Sequence, residues 1–334
     1  MKVAILTRDY PPAIGGIATH VEGLVGALRR RGVEADVFVG SNDVKTLLLP
    51  FDIPLKRYDV VHVQSAPYGA FVVGVPLIVT VHSPILEELP HYKKSLQIAS
   101  IPALPLEKLS LRRAEVVLAV SAQSKADLIK SYGVDASKVE VIGNGVDYAR
   151  FALPRERRSE PVRMLVVSRL EPRKNVSAAI RAVAELTKGT CVLDIAGDGS
   201  ERRELERLAN ELGVDDRIHL LGRVGAESLP ELYRGSAIFL TTSSSEGFGL
   251  SLLEAMSAGC CCVASDLPTH RALIQQGVNG MIYSNREELV SLIKQLCASP
   301  DRADRIGAAA RTVAIQHSWD KVADRVAESY GKVT

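Results

Sequence analysis

Two glutamates separated by seven residues mark the segment whose residue types can do the most specific chemistry. Glu246 and Glu254 flank a turn and the start of an apolar helical segment, through Gly247, Phe248, Gly249 and Leu250. Such a turn exposes backbone amides, and a helix start adds positive charge, so an anion such as phosphate can bind there. Glu254 lies inside the apolar segment, where a carboxylate needs a partner. The sequence leaves two partners open, a ribose diol or an internal arginine, and it predicts that Glu246 projects outside the helix at the rim of the site.

Two cations bracket one strand-to-helix turn in the same half of the chain. Arg169 and Lys174 follow an apolar strand segment, and Asn175 is predicted to cap the next helix. Two positive charges beside a helix start suit a diphosphate better than an anion with one charge. The alternative is a solvated basic loop in which Glu171 pairs with the cations.

The first half of the chain contributes a glycine pair and a histidine at two strand ends. Gly15 and Gly16 precede a predicted helix that begins near Ile17, so their amides can approach an anion, although a plain turn is the alternative. The pattern G-x-G-x-x-G is absent, and with it the dinucleotide fingerprint. His82 ends the predicted strand 77–82, where it can bind a sugar or a phosphate or else be a structural histidine.

Two further turns follow predicted strands at the same edge. Gly197–Gly199 and Asn144–Asp147 are composed of turn-forming residues that can line a ligand site. Taken alone, both are ordinary turns.

Short apolar runs alternate with helical patterns along the whole chain, which predicts βα units and parallel sheets. The predicted strands cover 2–7, 35–39, 59–63, 77–82, 116–120 and 139–142, then 162–168, 190–196, 217–221, 237–241, 261–264 and 280–283. The predicted helices cover 17–31, pieces of 85–112, 121–132, 176–187, 201–212, 226–234, 249–258, 286–298 and a tail over 301–331.

These elements predict an α/β protein with two Rossmann-like, doubly wound parallel-sheet domains that face each other across a cleft. The first domain is expected over 1–147 and the second over 162–318. Between them, residues 148–161 are rich in arginine and contain two prolines without periodicity, which is typical of a linker. In such sheets, ligands bind beyond the carboxyl ends of the strands.

Composition excludes several classes of protein. The chain has 334 residues, of which 46% are hydrophobic and 24% charged, so disorder and coiled coil are excluded. A net charge of +2 predicts no nucleic-acid partner. No signal peptide fits the segment Met1–Asp9, and the longest apolar run, 69–81, is too short to span a bilayer. The contiguous thiols Cys260–Cys262 are predicted to be buried in a reducing cytoplasm, and no metal site is expected.

Taken together, these motifs resemble those of the retaining glycosyltransferases of family 4, which have the GT-B fold. The resemblance rests on motifs that occur in the family's order: Pro12-x-x-Gly15-Gly16, His82, Asn144-Gly-Val-Asp147, Arg169-x4-Lys174, and Glu246-Gly-Phe-Gly-x4-Glu254 followed by Ala255-Met256-x-x-Gly259. Cys261 and Cys262 replace the proline and valine that are usual in the family. The chain is also short between residues 40 and 75, so relatives are an unsafe guide to the acceptor.

The resemblance implies a role for each site residue. The catalytic residues would be Glu246, His82, Arg169 and Lys174, with the two cations on the donor diphosphate and His82 on the transferred sugar. Glu254 would hold the nucleotide ribose. The full set of expected donor-binding residues is Gly15, Gly16, Arg169, Lys174, Gly197, Arg223, Val224, Glu246, Gly247, Phe248, Gly249, Leu250 and Glu254. The base would lie near Arg223 and Val224, and residues 319–334 would form a helix that crosses back to the first domain.

The expected function is transfer of a sugar from a UDP-, GDP- or ADP-sugar to an acceptor hydroxyl, with retention of configuration and without a metal or a separate cofactor. The acceptor is a lipid-linked or small soluble glycan. Whether Glu246 is a nucleophile or positions the donor stays open. The alternatives are a nucleotide-sugar epimerase and, less favoured, an NAD-dependent dehydrogenase. The expected location is the cytoplasm, with peripheral contact at the inner face of the membrane through residues 84–113.

Overall fold

Apolar runs form the strands of two separate parallel sheets, one in each of two units of the chain. The computed structural model describes residues 1–13, 15–91, 94–154 and 160–334. One unit combines Met1–Gly145 with His317–Thr334, and the other is Val146–Gln316. Residues 155–159 of the predicted linker lie outside the described residues, as do Tyr92 and Lys93 of the predicted membrane-contact stretch.

The first unit contains a six-stranded parallel sheet in the order β2-β1-β3-β4-β5-β6. Its strands are β1 (Lys2–Thr7), β2 (Glu34–Val39), β3 (Val60–Val63), β4 (Leu77–Val81), β5 (Val116–Ala119) and β6 (Val139–Val141). Its α-helices are α1 (Gly16–Arg30), α2 (Asp43–Asp52), α3 (Ile85–Glu88), α4 (Lys94–Ser100), α5 (Ala103–Arg113), α6 (Ala122–Tyr132) and α15 (Trp319–Gly331).

The second unit repeats the architecture with the strand order β12-β11-β10-β7-β8-β9, again parallel throughout. Its strands are β7 (Val162–Val167), β8 (Cys191–Ala196), β9 (Ile218–Gly222), β10 (Ile238–Thr241), β11 (Cys261–Ser265) and β12 (Met281–Tyr283). Its α-helices are α7 (Tyr148–Phe151), α8 (Val176–Ala184), α9 (Arg202–Glu211), α10 (Leu229–Gly235), α11 (Leu250–Ala258), α12 (Pro268–Arg271), α13 (Arg286–Ala298) and α14 (Pro300–Ala314).

Helices cover both faces of the second sheet. On one face α8, α9 and α13 pack against the strands, and on the other α7, α10 and α11 do so, while α14 contributes residues to both apolar clusters. Central strands are therefore buried on both faces, which explains why β10 and β11 read as continuous apolar runs rather than alternating ones. Cys260, Cys261 and Cys262 are buried as predicted, and none of the three forms a disulfide with another described residue.

Helix α15 belongs to the first unit, although it follows the whole second unit in the sequence. Its Asp320 accepts from Arg30 and Arg31 at 2.9 and 2.8 Å. The buried hydroxyl of Tyr330 lies 2.7 Å from Nδ1 of His62. Its Trp319 packs against two glycines, Gly23 on α1 and Gly145 in the segment after β6.

The predicted α/β fold class is confirmed by these two doubly wound sheets. The strand predictions match the structure closely, but three helices were not predicted: α2, α7 and α12. Helix α2 contains Pro50, and α7 and α12 have four residues each, so none of them shows a full amphipathic period. Helix α8 ends at Ala184, three residues earlier than predicted. In the described part of the chain, no helix is both long and apolar enough to cross a membrane.

Replacing Gly23 with alanine should destabilise the first unit. A Cβ atom there would lie 2.2 Å from Cε2 of Trp319, so the indole must move out of its packed position. We expect G23A to lower the free energy of unfolding by about 1–3 kcal/mol. Trp319 is the only tryptophan in the sequence, so denaturant unfolding followed by its fluorescence reports directly on this contact.

The matched control is Gly26→Ala on the same helix. The nearest atom to its added Cβ is Nη1 of Arg30 at 3.6 Å, an ordinary contact with a flexible side chain. Because alanine favours a helix interior more than glycine does, G26A should raise stability by about 0.5–1 kcal/mol. Equal effects of the two substitutions would contradict the packing of Trp319 described above.

Candidate functional site

The turn between β10 and α11 forms a left-handed bend that ends in an uncapped helix start. Gly249 has φ +96°, a conformation that favours glycine, and helix α11 begins at the next residue. No side chain caps this helix, so its first-turn amides point away from the helix without intrahelical acceptors. Free amides at this helix start agree with the expected local structure of Gly247–Leu250, and anion binding there stays a prediction.

Glu246 lies in this turn and is paired with Lys174 from the loop after β7. Lys174 Nζ lies 2.5 Å from Glu246 Oε1, and Ser243 Oγ donates to the same oxygen at 2.7 Å. Arg173 Nη1 lies 3.7 Å from Oε2. Burial opposes ionisation of this carboxyl, but the two cations and the hydrogen bonds lower the pKa of Glu246 to about 2.

The expectation that Glu246 projects at an exposed rim is therefore wrong. The side chains of Glu246, Lys174 and Arg173 are only 10%, 12% and 12% exposed. The reason is electrostatic: two cations on the neighbouring loop draw the carboxylate inward. Backbone contacts reinforce the pairing, because Ser244 N donates to Arg173 O at 2.8 Å and Thr242 Oγ1 donates to Lys174 O at 2.9 Å.

Arg169 occupies the outer edge of the same loop. Its side chain is 58% exposed, and its Nη1 lies 2.9 Å from Glu171 Oε1. Glu171 also lies 3.6 Å from Arg173 Nε, so one glutamate bridges both arginines. The structure thus brings Arg169, Lys174 and Glu246 together, while the pairing with Glu171 named as an alternative is also present.

Two local expectations about this loop need correction. Asn175 stands at the start of α8, but it has φ 47° and its side chain makes no capping bond; it accepts from Ser177 Oγ at 3.2 Å instead. Arg173 was not predicted as a site residue, although it carries the second charge beside Glu246. Its position next to Lys174 in a short 3-10 turn, Pro172–Lys174, was the available signal.

Glu254 lies on helix α11 and is hydrogen-bonded to a neutral side chain. Tyr233 Oη donates to Glu254 Oε2 at 2.8 Å, and Tyr233 itself is fully buried on α10. Burial raises the pKa of Glu254 to about 7, against the opposing effects of Tyr233 and of the Arg150 charge. The internal arginine left open by the sequence is not the direct hydrogen-bond partner among the described residues, and the ribose stays a prediction; the tyrosine lies 21 residues away and was not predicted.

The ends of β7, β8 and β9 meet at Gly197. Its φ is +148°, and an added Cβ would lie 1.8 Å from the carbonyl oxygen of Ser168, so the close approach of the two strand ends requires glycine. Gly197 N also donates to Gly222 O at 2.8 Å. Beyond this point, the Arg223 side chain is 76% exposed beside Asp198, and Val224 packs against the apolar core under α10.

His82, Gly15 and Gly16 lie in the first unit. Gly15 has φ +152° and is the N-cap of α1, so the glycine pair stands at a helix start as predicted; the neighbouring Ile14 lies outside the described residues. His82 follows β4, and its ring meets that of His20 edge-on at 4.6 Å. Burial lowers the pKa of His82 well below its usual value, so the imidazole is neutral.

His20 is a neighbour of His82 that sequence reasoning missed. It is fully buried on α1, and its Nδ1 is hydrogen-bonded to Asn144 Oδ1. Asn144 is the first residue of the turn Asn144–Asp147, so the start of that motif supports His20 from within the first unit. Its apolar surroundings gave no pattern that distinguishes His20 from core residues.

Comparison with known proteins gives this arrangement a family. A model described as Glycosyl transferases group 1 matches residues 152–313, and one described as Glycosyltransferase Family 4 matches residues 45–150. Together they match most of the chain, which belongs to the family 4 type of glycosyltransferases and is a transferase with the GT-B fold.

Relatives of known name span nearly the whole chain. A D-inositol 3-phosphate glycosyltransferase of Nocardia farcinica is 28% identical, over 99% of this chain and 80% of the relative. A GDP-mannose-dependent alpha-(1-6)-phosphatidylinositol monomannoside mannosyltransferase of Mycobacterium tuberculosis is 26% identical, over 98% and 97%.

Solved structures show the same fold. Sucrose-phosphate synthase from Thermosynechococcus elongatus superposes with a TM-score of 0.85 at 21% identity, covering 99% of this chain and 98% of the other. Anabaena Alr3699/HepE in complex with UDP and glucose gives 0.79 at 22% identity, covering 99% and 100%.

Replacing Glu254 with glutamine should stabilise the second unit above neutral pH. The folded-state pKa of Glu254 is raised to about 7 from 4.5, so between these values the unfolded chain ionises while the folded carboxyl stays protonated; stability therefore falls as pH rises from about 4.5 to 7 and levels off above that. A neutral glutamine keeps an acceptor for Tyr233 and removes that penalty. We expect E254Q to gain about 1–3 kcal/mol at pH 8, with the gain shrinking toward zero near pH 4.

Chemical denaturation at pH 4, 6 and 8 measures this effect. The control is Glu211→Gln, an exposed glutamate at the end of α9, which should change stability by less than about 0.5 kcal/mol at every pH. A loss of stability in E254Q at pH 8 would mean that the carboxylate is held more favourably than its surroundings indicate.

Proposed function

We propose that this glycosyltransferase moves a sugar from a nucleoside diphosphate sugar to an acceptor hydroxyl, with retention of configuration and without a metal ion. The observation that carries the proposal is the cluster of Lys174, Arg173 and Arg169 around Glu246, next to the uncapped start of α11. Relatives named for GDP-mannose and a similar structure in complex with UDP and glucose support a donor of this class.

The cationic loop is suited to the charge that develops during the reaction. Cleavage of the bond between sugar C1 and phosphate leaves negative charge on the departing diphosphate. Arg169 and Lys174, together with the amides of Gly249 and Leu250, would receive that charge and stabilise the transition state more than the ground state. Because Lys174 is held in place by Glu246, these cations would take the role that a metal ion has in other transferases.

Glu246 fits a role in positioning the donor sugar. One of its oxygens is bound by Lys174 and Ser243, and its pKa of about 2 keeps it ionised at any working pH. A carboxylate held by an ammonium at 2.5 Å is a poor nucleophile, since attack on C1 would strip it of that partner. We therefore favour attack by the acceptor hydroxyl on the face from which the diphosphate leaves.

The other donor contacts follow the family resemblance. Glu254 would accept bonds from the ribose, with the base near Arg223 and Val224 and the phosphates near Gly15, Gly16 and Gly197. His82, neutral because it is buried, would bind the transferred sugar as a hydrogen-bond partner rather than as a cation.

The acceptor is proposed to be a hydroxyl of a lipid-linked or small soluble glycan. Relatives named for inositol 3-phosphate and for a phosphatidylinositol monomannoside illustrate a soluble and a lipid-linked acceptor, respectively. Ile98 and Ile101 in the predicted membrane-contact stretch are 68% and 56% exposed, which supports contact of this stretch with an apolar surface. The cytoplasmic location stays a prediction.

A donor panel combined with Lys174→Ala tests the proposal. UDP-, GDP- and ADP-sugars are added in turn, and one of them should raise the melting temperature by mass action. In K174A, turnover with that donor should fall by at least about tenfold, because a charge-assisted contact contributes ~1.5–3 kcal/mol.

Lys188→Ala is the control, because that lysine is 81% exposed beside Asp216 and precedes the amino end of β8, whereas the site lies at the carboxyl ends of the strands. It should leave both binding and turnover unchanged. The donor assignment is wrong if none of the three sugar nucleotides shifts the melting temperature, and the charge-stabilisation argument is wrong if K174A folds and turns over at the wild-type rate.

A further inference from the structure

Helix α1 buries a polar side chain, His20, on a face that is otherwise apolar. The other buried residues of this helix, all of which the structure describes, are Ala18, Val21, Leu24, Val25, Ala27 and Leu28. His20 is fully buried, and its Nε2 has no hydrogen-bond partner in the described part of the chain. An unpaired buried polar atom costs free energy, so folding alone would favour an apolar side chain at this position. A histidine there indicates a function other than packing.

The other ring nitrogen of His20 is anchored to the segment after β6. Nδ1 is hydrogen-bonded to Asn144 Oδ1. Because an amide oxygen can only accept, Nδ1 carries the proton of the neutral imidazole. The bond therefore fixes both the tautomer and the orientation of the His20 ring.

His20 lies between two other rings of the first unit. The ring centroid of His82 is 4.6 Å away with the planes at 85°, and that of Trp319 is 5.5 Å away with the planes at 84°. Edge-on contacts of this kind are favourable for aromatic rings. Burial lowers the pKa of His20 to about 4 and that of His82 well below its usual value, so the two imidazoles are neutral and do not repel each other. His82, His20 and Trp319 thus form a three-ring stack.

The far end of the three-ring stack is held by the residue that follows Asn144. A Cβ atom added at Gly145 would lie 2.6 Å from the backbone N and from Cδ2 of Trp319, so this close approach of α15 requires glycine. Asn144 and Gly145, the first two residues of the Asn144–Asp147 motif, therefore contact two successive members of the stack.

The near end of the three-ring stack is His82, which directly follows β4 at the carboxyl edge of the sheet. Its Nε2 is buried and has no hydrogen-bond partner among the described residues. Since no such bond orients the ring at this atom, its orientation depends on the rings packed against it. The ring of His20 supplies that contact, and Asn144 holds the ring of His20.

We propose that His20 is a positioning residue: held by Asn144, it fixes the plane of the His82 imidazole, so that this imidazole meets the transferred sugar in one orientation. The proposal rests on the proposed function, since it takes His82 as a contact of that sugar. It also gives the Asn144-Gly145 part of the motif a function, which is to anchor the three-ring stack rather than to touch the ligand.

Replacing His20 with leucine removes the ring but keeps most of its volume. His20→Leu also removes the unpartnered nitrogen, so the first unit should stay folded. We expect turnover to fall by about ten- to a hundredfold, because a small misplacement of a group that contacts substrate has effects of that size. Affinity for the nucleoside diphosphate should not change, because Arg169, Lys174 and Glu254 are untouched.

Two further variants separate positioning from packing. His20→Phe restores a ring with the same neighbours, so its turnover should lie within about threefold of wild type. His62→Leu is the matched control, since His62 is also fully buried in the first unit, but its hydrogen bonds go to Tyr330 and Thr80 at 2.7 Å. H62L leaves both hydroxyls without that partner, so it should lower the melting temperature more than H20L does and leave the turnover of the folded protein unchanged.

Turnover is measured with the full chain as release of nucleoside diphosphate. The probe is whichever of UDP-glucose, GDP-mannose and ADP-glucose raises the wild-type melting temperature most. Isothermal titration calorimetry with the matching nucleoside diphosphate gives the affinity. The fluorescence of Trp319, the only tryptophan in the sequence, reports whether the first unit of each variant is folded.

A double-mutant cycle with His82→Ala identifies the route of the effect. If His20 acts through His82, adding H20L to H82A causes no further loss of turnover. Wild-type turnover in folded H20L, an equal loss in H20L and H62L, or an equal loss from H20L in both backgrounds overturns the proposal. If H20L does not fold, Asn144→Ala, which releases the ring of His20, carries the same comparison. Failure of all three sugar nucleotides to bind the wild type would instead refute the proposed function.

Discussion

The buried ion pair between Lys174 and Glu246 is the interaction on which the arrangement of the second unit's strand ends depends. It joins the loop after β7 to the loop after β10, and the backbone bonds to Arg173 and Lys174 hold the same two loops. Loss of either partner would leave an uncompensated charge in a site with little solvent, which costs about 3–5 kcal/mol. The pair therefore holds charged groups in fixed positions before any ligand arrives. Fixed charge of this kind is what stabilises a developing anion without reorganisation.

Glu254 is also a buried carboxyl group, but its hydrogen-bond partner is a neutral side chain rather than a cation. Its carboxyl shares a buried helix with apolar neighbours and receives one hydrogen bond from a neutral phenol. Nothing in folding alone favours a carboxylate there, because glutamine or an apolar residue would avoid the desolvation cost. A destabilising group in a binding site is typical where function requires it. The two glutamates of one motif thus differ in environment: Glu246 is paired with a cation, and Glu254 is hydrogen-bonded to a neutral phenol.

Hydrophobic periodicity was sufficient to predict the sheets, because each strand is a short apolar run between turn residues. It failed for α2 and α7, where a proline or a length of one turn removes the periodic signal. Motif spacing located Arg169, Lys174, Glu246 and Glu254, since these lie close together in the chain or at strand ends that must meet.

The partners of the motif residues could not be predicted in the same way. Tyr233 reaches Glu254 from another helix, and only the packing of α10 on α11 brings it there. The burial of Glu246 was also missed, because it results from cations that the sequence places 72 residues away. Linear patterns report local elements and strand ends, whereas side-chain pairing across helices depends on tertiary structure.

The discontinuous composition of the first unit has a consequence for how the protein is made. Helix α15 supplies Trp319 and Tyr330 to that unit, yet it leaves the ribosome only after all of Val146–Gln316. The second unit is contiguous in sequence, so it can complete its core during synthesis. The sheet of the first unit is synthesised earlier, but the surface around His62 stays uncovered until α15 has been made. The order of folding would then be the reverse of the order of translation, and α15 would close the first unit last.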